Sequence, residues 1–85
     1  MSAQLIIDII GWIGSVEVIV AYALISSERV NGKSILYQLL NLTGAIFLIV
    51  NTIYYGAYPS TAINVVWVGI ALAALWKAFF QNQKR

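Results

Sequence analysis

Apolar residues dominate three long segments of the chain, and short polar segments separate them. The apolar segments are 5–25, 35–54 and 61–80. A helix rises about 1.5 Å per residue, so each segment is long enough to cross the roughly 30 Å hydrocarbon layer of a bilayer. The pattern therefore predicts an all-α integral membrane protein, a bundle of three transmembrane helices in which residues 1–85 form one domain.

The two polar breaks contain residues that begin and end helices. In the first break, Asn31-Gly32 is a turn-forming pair, and Ser34 is suited to cap the N-terminus of the second helix. In the second break, Gly56 is suited to a helix C-cap and Pro59 to the start of the third helix. We therefore expect two short connections and no further domain.

The first segment has a cleaved signal peptide as its alternative interpretation, because Ala21-Tyr22-Ala23 mimics a cleavage site. A signal peptide carries Lys or Arg ahead of its apolar run and no acidic residue within it. The N-terminus here has no basic residue, and the run contains Asp8 and Glu17. We therefore expect the segment to stay in the membrane as a span.

The basic residues predict the orientation of the spans. Arg29 and Lys33 lie in the first connection, and Lys77, Lys84 and Arg85 lie at the C-terminal end. Three spans place these two regions on the same side, and cytoplasmic segments are enriched in Lys and Arg. We therefore expect the N-terminus outside and the C-terminus in the cytoplasm, in a bacterial inner membrane.

Composition excludes several classes of function. The 85 residues are 61% hydrophobic and 9% charged, with no Cys and no His, whereas soluble domains have about 25% charged residues. We expect no metal, no cofactor and no enzymatic activity, since no nucleophile–base pair is evident. Three of the five basic residues fall in the last nine positions, so no basic face predicts a nucleic-acid partner. The predicted partner is the lipid bilayer.

Glu17 lies near the middle of the first span, where an ionised carboxylate costs a few kcal/mol. Gly14 and Ala21 lie on the same helical stripe, so another helix can approach closely and carry a hydrogen-bond donor to the carboxyl group. Glu17 is therefore either a protonation or substrate-contact site, or a hydrogen bond within a helix–helix interface. Asp8 lies on the opposite face near the membrane boundary, and we interpret it as an interfacial residue without chemistry.

Two stripes of polar, aromatic and small residues follow the other spans at alternating steps of three and four. The second span carries Tyr37, Asn41, Gly44, Leu48, Asn51 and Tyr55, with Gln38 and Thr52 at the border, and the third carries Ser60, Asn64, Trp67, Ala71 and Ala74. They predict either dry contacts between helices or a solute site in which amides bind hydroxyl groups and Trp67 stacks on an apolar face.

Depth in the membrane groups these polar residues into two levels. We expect Asn51 and Asn64 to face a common space near one boundary, because the short second connection makes their helices neighbours. Asn41 and Gln38 form a second level, near Tyr22. Separately, Gly69 and Ala73 form a small-residue pair that is suited to packing against a further helix.

The order of residues from Tyr55-Gly56 through Pro59 to Asn64 resembles the third-helix region of the SemiSWEET sugar transporters, the half-size members of the PQ-loop family. The chain is more similar still to small, uncharacterised bacterial three-helix membrane proteins, which share runs like 37–45 and 59–67. The transporter resemblance implies a SemiSWEET-like homodimer with a solute pathway between protomers, and Asn64 as a binding residue.

The chain also departs from the transporter pattern. Residues 21–24 replace the Pro-Gln pair near the end of the first helix, and Thr52 replaces an aromatic residue of the binding site, for which Trp67 could supply a ring. Two functions therefore stay open. One is a homodimeric carrier of a small polar solute, and the other is an accessory or assembly subunit that docks into a larger membrane complex through Glu17 and its small-residue faces.

Overall fold

The computed structural model of the chain describes residues 2–83, which contain three α-helices. These are α1 (Ala3–Ser26), α2 (Ile35–Tyr54) and α3 (Tyr58–Gln83). All three are long and apolar enough to cross a membrane. The predicted fold class, an all-helical bundle with three candidate membrane spans, is confirmed.

The capping residues explain where the helices begin and end. The Ser34 hydroxyl accepts a hydrogen bond from the Tyr37 backbone N–H and starts α2. Gly56 adopts a φ of 71° after the end of α2, a left-handed conformation that costs glycine little. Helix α3 begins at Tyr58 rather than at Thr61, because Pro59 falls in the first turn, where backbone N–H groups have no helical partner.

Helix α2 is the centre of the bundle. It packs against α1 on one side and α3 on another, and within residues 2–83 α1 and α3 do not contact each other. The molecule is 49 Å long and 23 Å in each other dimension. The bundle is therefore open on the side of α2 that lies between α1 and α3.

Small residues make the closest helix contacts. Gly14 of α1 and Gly44 of α2 are buried against each other, and a Cβ atom at Gly14 would lie 2.8 Å from the Gly44 carbonyl oxygen. Ala21 and Ala45 are fully buried. None of the large side chains that the structure describes is fully buried. Packing through small residues, with large apolar side chains outward, is typical of helices in a membrane.

The two ends of the bundle differ in chemistry. The tyrosine end carries Tyr54, Tyr55 and Tyr58, where α1 begins and α2 meets α3. The basic end carries Arg29 and Lys33 of the first connection and Lys77 near the end of α3. Lys84 and Arg85 lie outside the described residues. The predicted orientation, with the tyrosine end outside, stays a prediction.

Candidate binding groove

The open side of α2 is lined by its polar stripe. At 100° per residue the stripe stays within about 40° of one direction. At one margin Gly44 and Asn51 contact α1, and at the other margin Asn41 contacts Trp67 of α3. The stripe between these margins therefore faces the space between α1 and α3, which we call the groove.

A cavity of about 280 Å³ opens between α1 and α2 near the tyrosine end. We call it the upper cavity, and its polar and aromatic lining residues are Asp8, Trp12, Ser15, Asn51 and Tyr55. It is slightly smaller than the usual 300–1,000 Å³ of ligand sites. At about 30 Å³ for each water-sized group, its size suits a small solute of about ten non-hydrogen atoms.

Asp8 and Tyr55 join α1 to the end of α2 within the upper cavity. The Tyr55 hydroxyl donates a hydrogen bond to the Asp8 carboxylate. This bond raises the pKa of Tyr55, because loss of the phenolic proton would break it and place two negative charges side by side. Tyr55 therefore remains a donor to Asp8 throughout the physiological pH range.

Asn51 forms a second connection between the same helices. Its amide nitrogen donates to the Ile7 backbone carbonyl at 3.0 Å. A side chain at Gly11 would overlap the amide group of Asn51, with Cγ only 2.7 Å from the added Cβ. The absence of a side chain at Gly11 is therefore what allows Asn51 to reach the backbone of α1.

A second cavity, of about 150 Å³, lies deeper between α2 and α3. We call it the lower cavity, and its lining residues are Tyr37, Gln38, Asn41, Trp67, Ile70 and Ala71. The Trp67 indole nitrogen is 3.5 Å from the Asn41 side-chain oxygen, at the long limit for a hydrogen bond. Trp67 stays 44% exposed, so its ring is accessible beside the amide.

Gln38 has a structural partner. Its amide nitrogen donates to the Gly32 carbonyl at 2.7 Å and so ties α2 to the first connection. Among the described residues, Gln38 and Asn41 are the two buried polar side chains, at 7% and 6% exposure. Both turn toward α3 and the first connection, whereas Tyr22 of α1 is 71% exposed. Tyr22 does not line the lower cavity, and its predicted place near this level stays a prediction.

Asn51 and Asn64 are not brought together. Asn51 faces α1, whereas the Asn64 amide donates to the Ser60 carbonyl of its own helix at 2.9 Å. The second connection does make their helices neighbours, but Asn64 lines neither cavity. Near this connection, Thr52 of α2 and Thr61 of α3 form a hydrogen bond between the two helices, with their hydroxyl oxygens 2.7 Å apart.

Glu17 lies outside the groove, at the opposite edge of the α1–α2 contact. The helix that approaches it is α2, which supplies the Thr43 hydroxyl as a donor. The same hydroxyl is 2.9 Å from the Leu39 carbonyl, and its single proton serves one acceptor at a time. Glu17 is half-buried and thus keeps acceptor capacity for a donor from outside the protomer.

Gly69 and Ala73 are exposed, and a Cβ at Gly69 would meet nothing within 4 Å. They form no packing surface within the described protomer, so their proposed contact with a further helix stays a prediction. Among the polar and aromatic lining residues, Trp12 and Ser15 were not predicted from sequence, and Asp8 was interpreted as an interfacial residue without chemistry. Their spacing of four and three places them on one stripe of α1, and this spacing is the signal that could have found them.

Comparison with known proteins places the chain in a family but gives no function. The model of an uncharacterised bacterial protein family matches residues 7–83. No curated protein and no solved structure matches the chain.

Proposed function

We propose that this chain, which belongs to the bacterial family whose model matches residues 7–83, is a homodimeric membrane carrier of a small polar solute. The observation that carries the proposal is the groove, because it is polar and yet open to the side. The resemblance to SemiSWEET half-transporters supports the same conclusion, since it implies two protomers around one pathway.

In a membrane the groove needs a cover. Its walls present the half-buried Asn51 amide, Ser15 hydroxyl and Asp8 carboxylate in the upper cavity and the Trp67 indole in the lower cavity, at depths between the two ends of the helices. Hydrocarbon offers these groups no hydrogen-bond partner, so a groove of this kind faces protein or water rather than lipid tails. In the membrane, another helical surface therefore lies over it.

The groove is long enough to serve as a pathway. Asn51 in the upper cavity and Asn41 in the lower cavity are ten residues apart on one face of α2, which corresponds to about 15 Å of helix rise. This is about half of the hydrocarbon thickness. A solute that moves between the two cavities would therefore cross the central part of the bilayer.

In the proposed carrier, the cover is a second copy of the chain. One protomer leaves α1 and α3 apart, so it cannot surround a solute. A copy related by a two-fold axis along the membrane normal places the same polar groove opposite, and each groove then closes the other. In this arrangement the tyrosine end opens to the outside and the basic end to the bacterial cytoplasm.

Cysteine cross-linking tests the dimer on a clean background, because the chain has no Cys. Trp12 lines the upper cavity and its neighbour Ile13 does not, although both side chains are exposed to the surroundings of the protomer. We expect Trp12→Cys to form a disulfide-linked dimer in native membranes after mild oxidation. Gel mobility without and with reductant measures the product.

The matched control is Ile13→Cys at nearly the same depth, which should stay monomeric on the same gel. Equal cross-linking at both positions would indicate random collision, and no cross-linking at Trp12 would remove the groove-to-groove dimer. Uptake of labelled glucose, or of another small labelled solute, into proteoliposomes then tests transport separately from assembly.

The edge around Glu17 favours a second candidate, an accessory subunit of a larger membrane complex. A half-buried intramembrane carboxylate that shares a single hydroxyl donor is suited to accept a donor from a partner helix. In this function the grooves would be covered by partner helices, and no solute would pass.

Glu17 variants separate the two candidates. For a subunit, we expect Glu17→Leu to release the chain from a co-purifying complex, while Glu17→Gln keeps the hydrogen bond and the complex. For a carrier, both variants should remain homodimers. Native mass spectrometry of gently extracted complexes measures the difference, and a larger complex in wild type would contradict the carrier.

A further inference from the structure

The upper cavity presents mainly hydrogen-bond acceptors. The Ser15 hydroxyl donates to the Gly11 carbonyl at 2.8 Å, and the Tyr55 hydroxyl donates to Asp8. Each hydroxyl has one proton, so both oxygens can also accept; the Gln4 side chain lies within reach of the Tyr55 oxygen, and the Ser15 oxygen is left as an acceptor. The second carboxylate oxygen of Asp8 and the side-chain oxygen of Asn51 add further acceptors, whereas the remaining donors are one Asn51 N–H and the Trp12 indole N–H.

The upper cavity is also negatively charged, with no cation among its lining residues. Asp8 is its one carboxylate, and no lining residue is basic. The described cations, Arg29, Lys33 and Lys77, lie at the basic end. Asp8 is 18 residues before the end of α1, about 27 Å away along the helix axis. Its charge is therefore not balanced by these side chains.

Aromatic rings complete the lining. Trp12 and Tyr55 border the cavity beside Asp8, and Tyr54 packs edge-on against Tyr55 with ring centroids 5.1 Å apart. Indole and phenol faces attract organic cations as well as apolar groups. A carboxylate next to such rings therefore favours an ammonium group on a short carbon skeleton over a hydrated metal ion.

We propose that the upper cavity binds a small primary ammonium compound, with its N–H groups directed to Asp8, Asn51 and Ser15 and its carbon atoms against Trp12. Asp8 is about five residues from the start of α1, about 8 Å from the tyrosine end, so such a ligand enters from the aqueous boundary. As a statement about transport substrate, the inference rests on the proposed carrier function. As a statement about binding, it rests on the cavity alone.

The test compares ethanolamine with ethylene glycol, which has the same number of non-hydrogen atoms and no charge. The protein is held in nanodiscs, and binding is measured by calorimetry at constant ionic strength. We expect saturable binding of ethanolamine, with a dissociation constant of about 0.1–10 mM for so small a ligand, and none of ethylene glycol. Equal binding of both, or binding of neither, would overturn the proposal.

Asp8→Asn removes the charge and keeps a polar group of the same size. We expect it to weaken ethanolamine binding about tenfold or more. Glu17→Gln is the matched control, because it neutralises the other intramembrane carboxylate outside the cavity, and it should bind as wild type does. Equal loss of binding in Glu17→Gln would show that the variants act through the fold or the net charge.

Trp12→Leu keeps the proposal testable if Asp8→Asn fails to fold. Trp12 is 74% exposed, so its replacement should leave the bundle intact and weaken ethanolamine binding severalfold. Full displacement of ethanolamine by millimolar sodium would assign the cavity to metal ions and overturn the ammonium assignment. If ethanolamine binds in an Asp8-dependent way but is not taken up into proteoliposomes, the carrier function is refuted and the ammonium site stands. If a neutral solute is taken up but ethanolamine does not bind, the ammonium site is refuted and the carrier function stands.

Discussion

Gly14→Leu should leave almost no folded protein, and we expect it to damage the bundle more than any variant of the groove does. A Cβ at Gly14 would lie 2.8 Å from the Gly44 carbonyl oxygen and 2.8 Å from the Phe47 Cβ. Backbone atoms of α2 cannot rotate away as the end of a side chain can, so the helices must separate. Separation also removes the Thr43–Glu17 and Asn51–Ile7 hydrogen bonds that depend on the same contact.

The size of the effect should increase with the size of the new side chain. Overpacking by one methyl group costs about 1–3 kcal/mol in protein cores, so Gly14→Ala should lower the unfolding midpoint and still accumulate. Gly14→Leu adds three more carbon atoms at the same place. Membrane abundance on immunoblots, followed by thermal unfolding of the purified protein, measures both variants.

Gly69→Leu provides the control on the far side of α3. A Cβ there meets nothing within 4 Å, so the same chemical change should leave abundance and the unfolding midpoint near wild type. If Gly14→Leu unfolds at the wild-type midpoint, the close contact of α1 and α2 is wrong. If Gly69→Leu is as damaging as Gly14→Leu, a further helix packs on Gly69, as the small-residue pair predicts.

The three helices can be predicted from sequence because their signals are local. Long apolar runs, the Ser34 cap and the left-handed Gly56 each depend on a few neighbouring residues. The start of α3 lies three residues before the predicted Thr61, because the sequence pattern allows Pro59 either ahead of the helix or within it. In the structure Pro59 lies inside the first turn, which tolerates it.

Which helix packs against which side of α2 cannot be predicted from such local signals. The stripe on α2 indicates one seam, but a stripe about 80° wide contacts two neighbours when they lie on different sides of a helix. The two margins of the stripe therefore contact different helices: Asn51 bonds to α1, and Asn41 approaches α3. From sequence alone Asp8 is an interfacial residue, because its partner, Tyr55, is 47 residues away in the chain and no local pattern encodes that pair.

For the proposed carrier, the cavities and the resemblance to SemiSWEET transporters favour different residues as the solute contact. The resemblance implies Asn64, whose amide bonds to its own helix and is absent from the linings of the upper and lower cavities. The geometry favours Asn41, which is buried, lines the lower cavity and lies beside the accessible Trp67 ring. Paired variants of these two residues distinguish the assignments.

For the proposed carrier, Asn41→Leu should reduce solute uptake into proteoliposomes at least tenfold while the dimer persists. Leucine is similar in shape to asparagine and has no hydrogen-bonding group in its side chain, so the lower cavity becomes apolar along the pathway. The loss of stability should be small, because an amide between membrane helices contributes only about 0.6 kcal/mol. Uptake of labelled ethanolamine and labelled glucose measures the effect, with cross-linking at Trp12→Cys to verify assembly.

Asn64→Leu is the matched comparison, since it makes the same change on the neighbouring helix outside both cavities. We expect it to retain most of the uptake, because the Asn64 amide is already engaged with the Ser60 carbonyl. The opposite result, with uptake lost in Asn64→Leu and kept in Asn41→Leu, would support the residue that the resemblance implies. It would also mean that the bundle changes conformation during transport, because Asn64 lines neither cavity here.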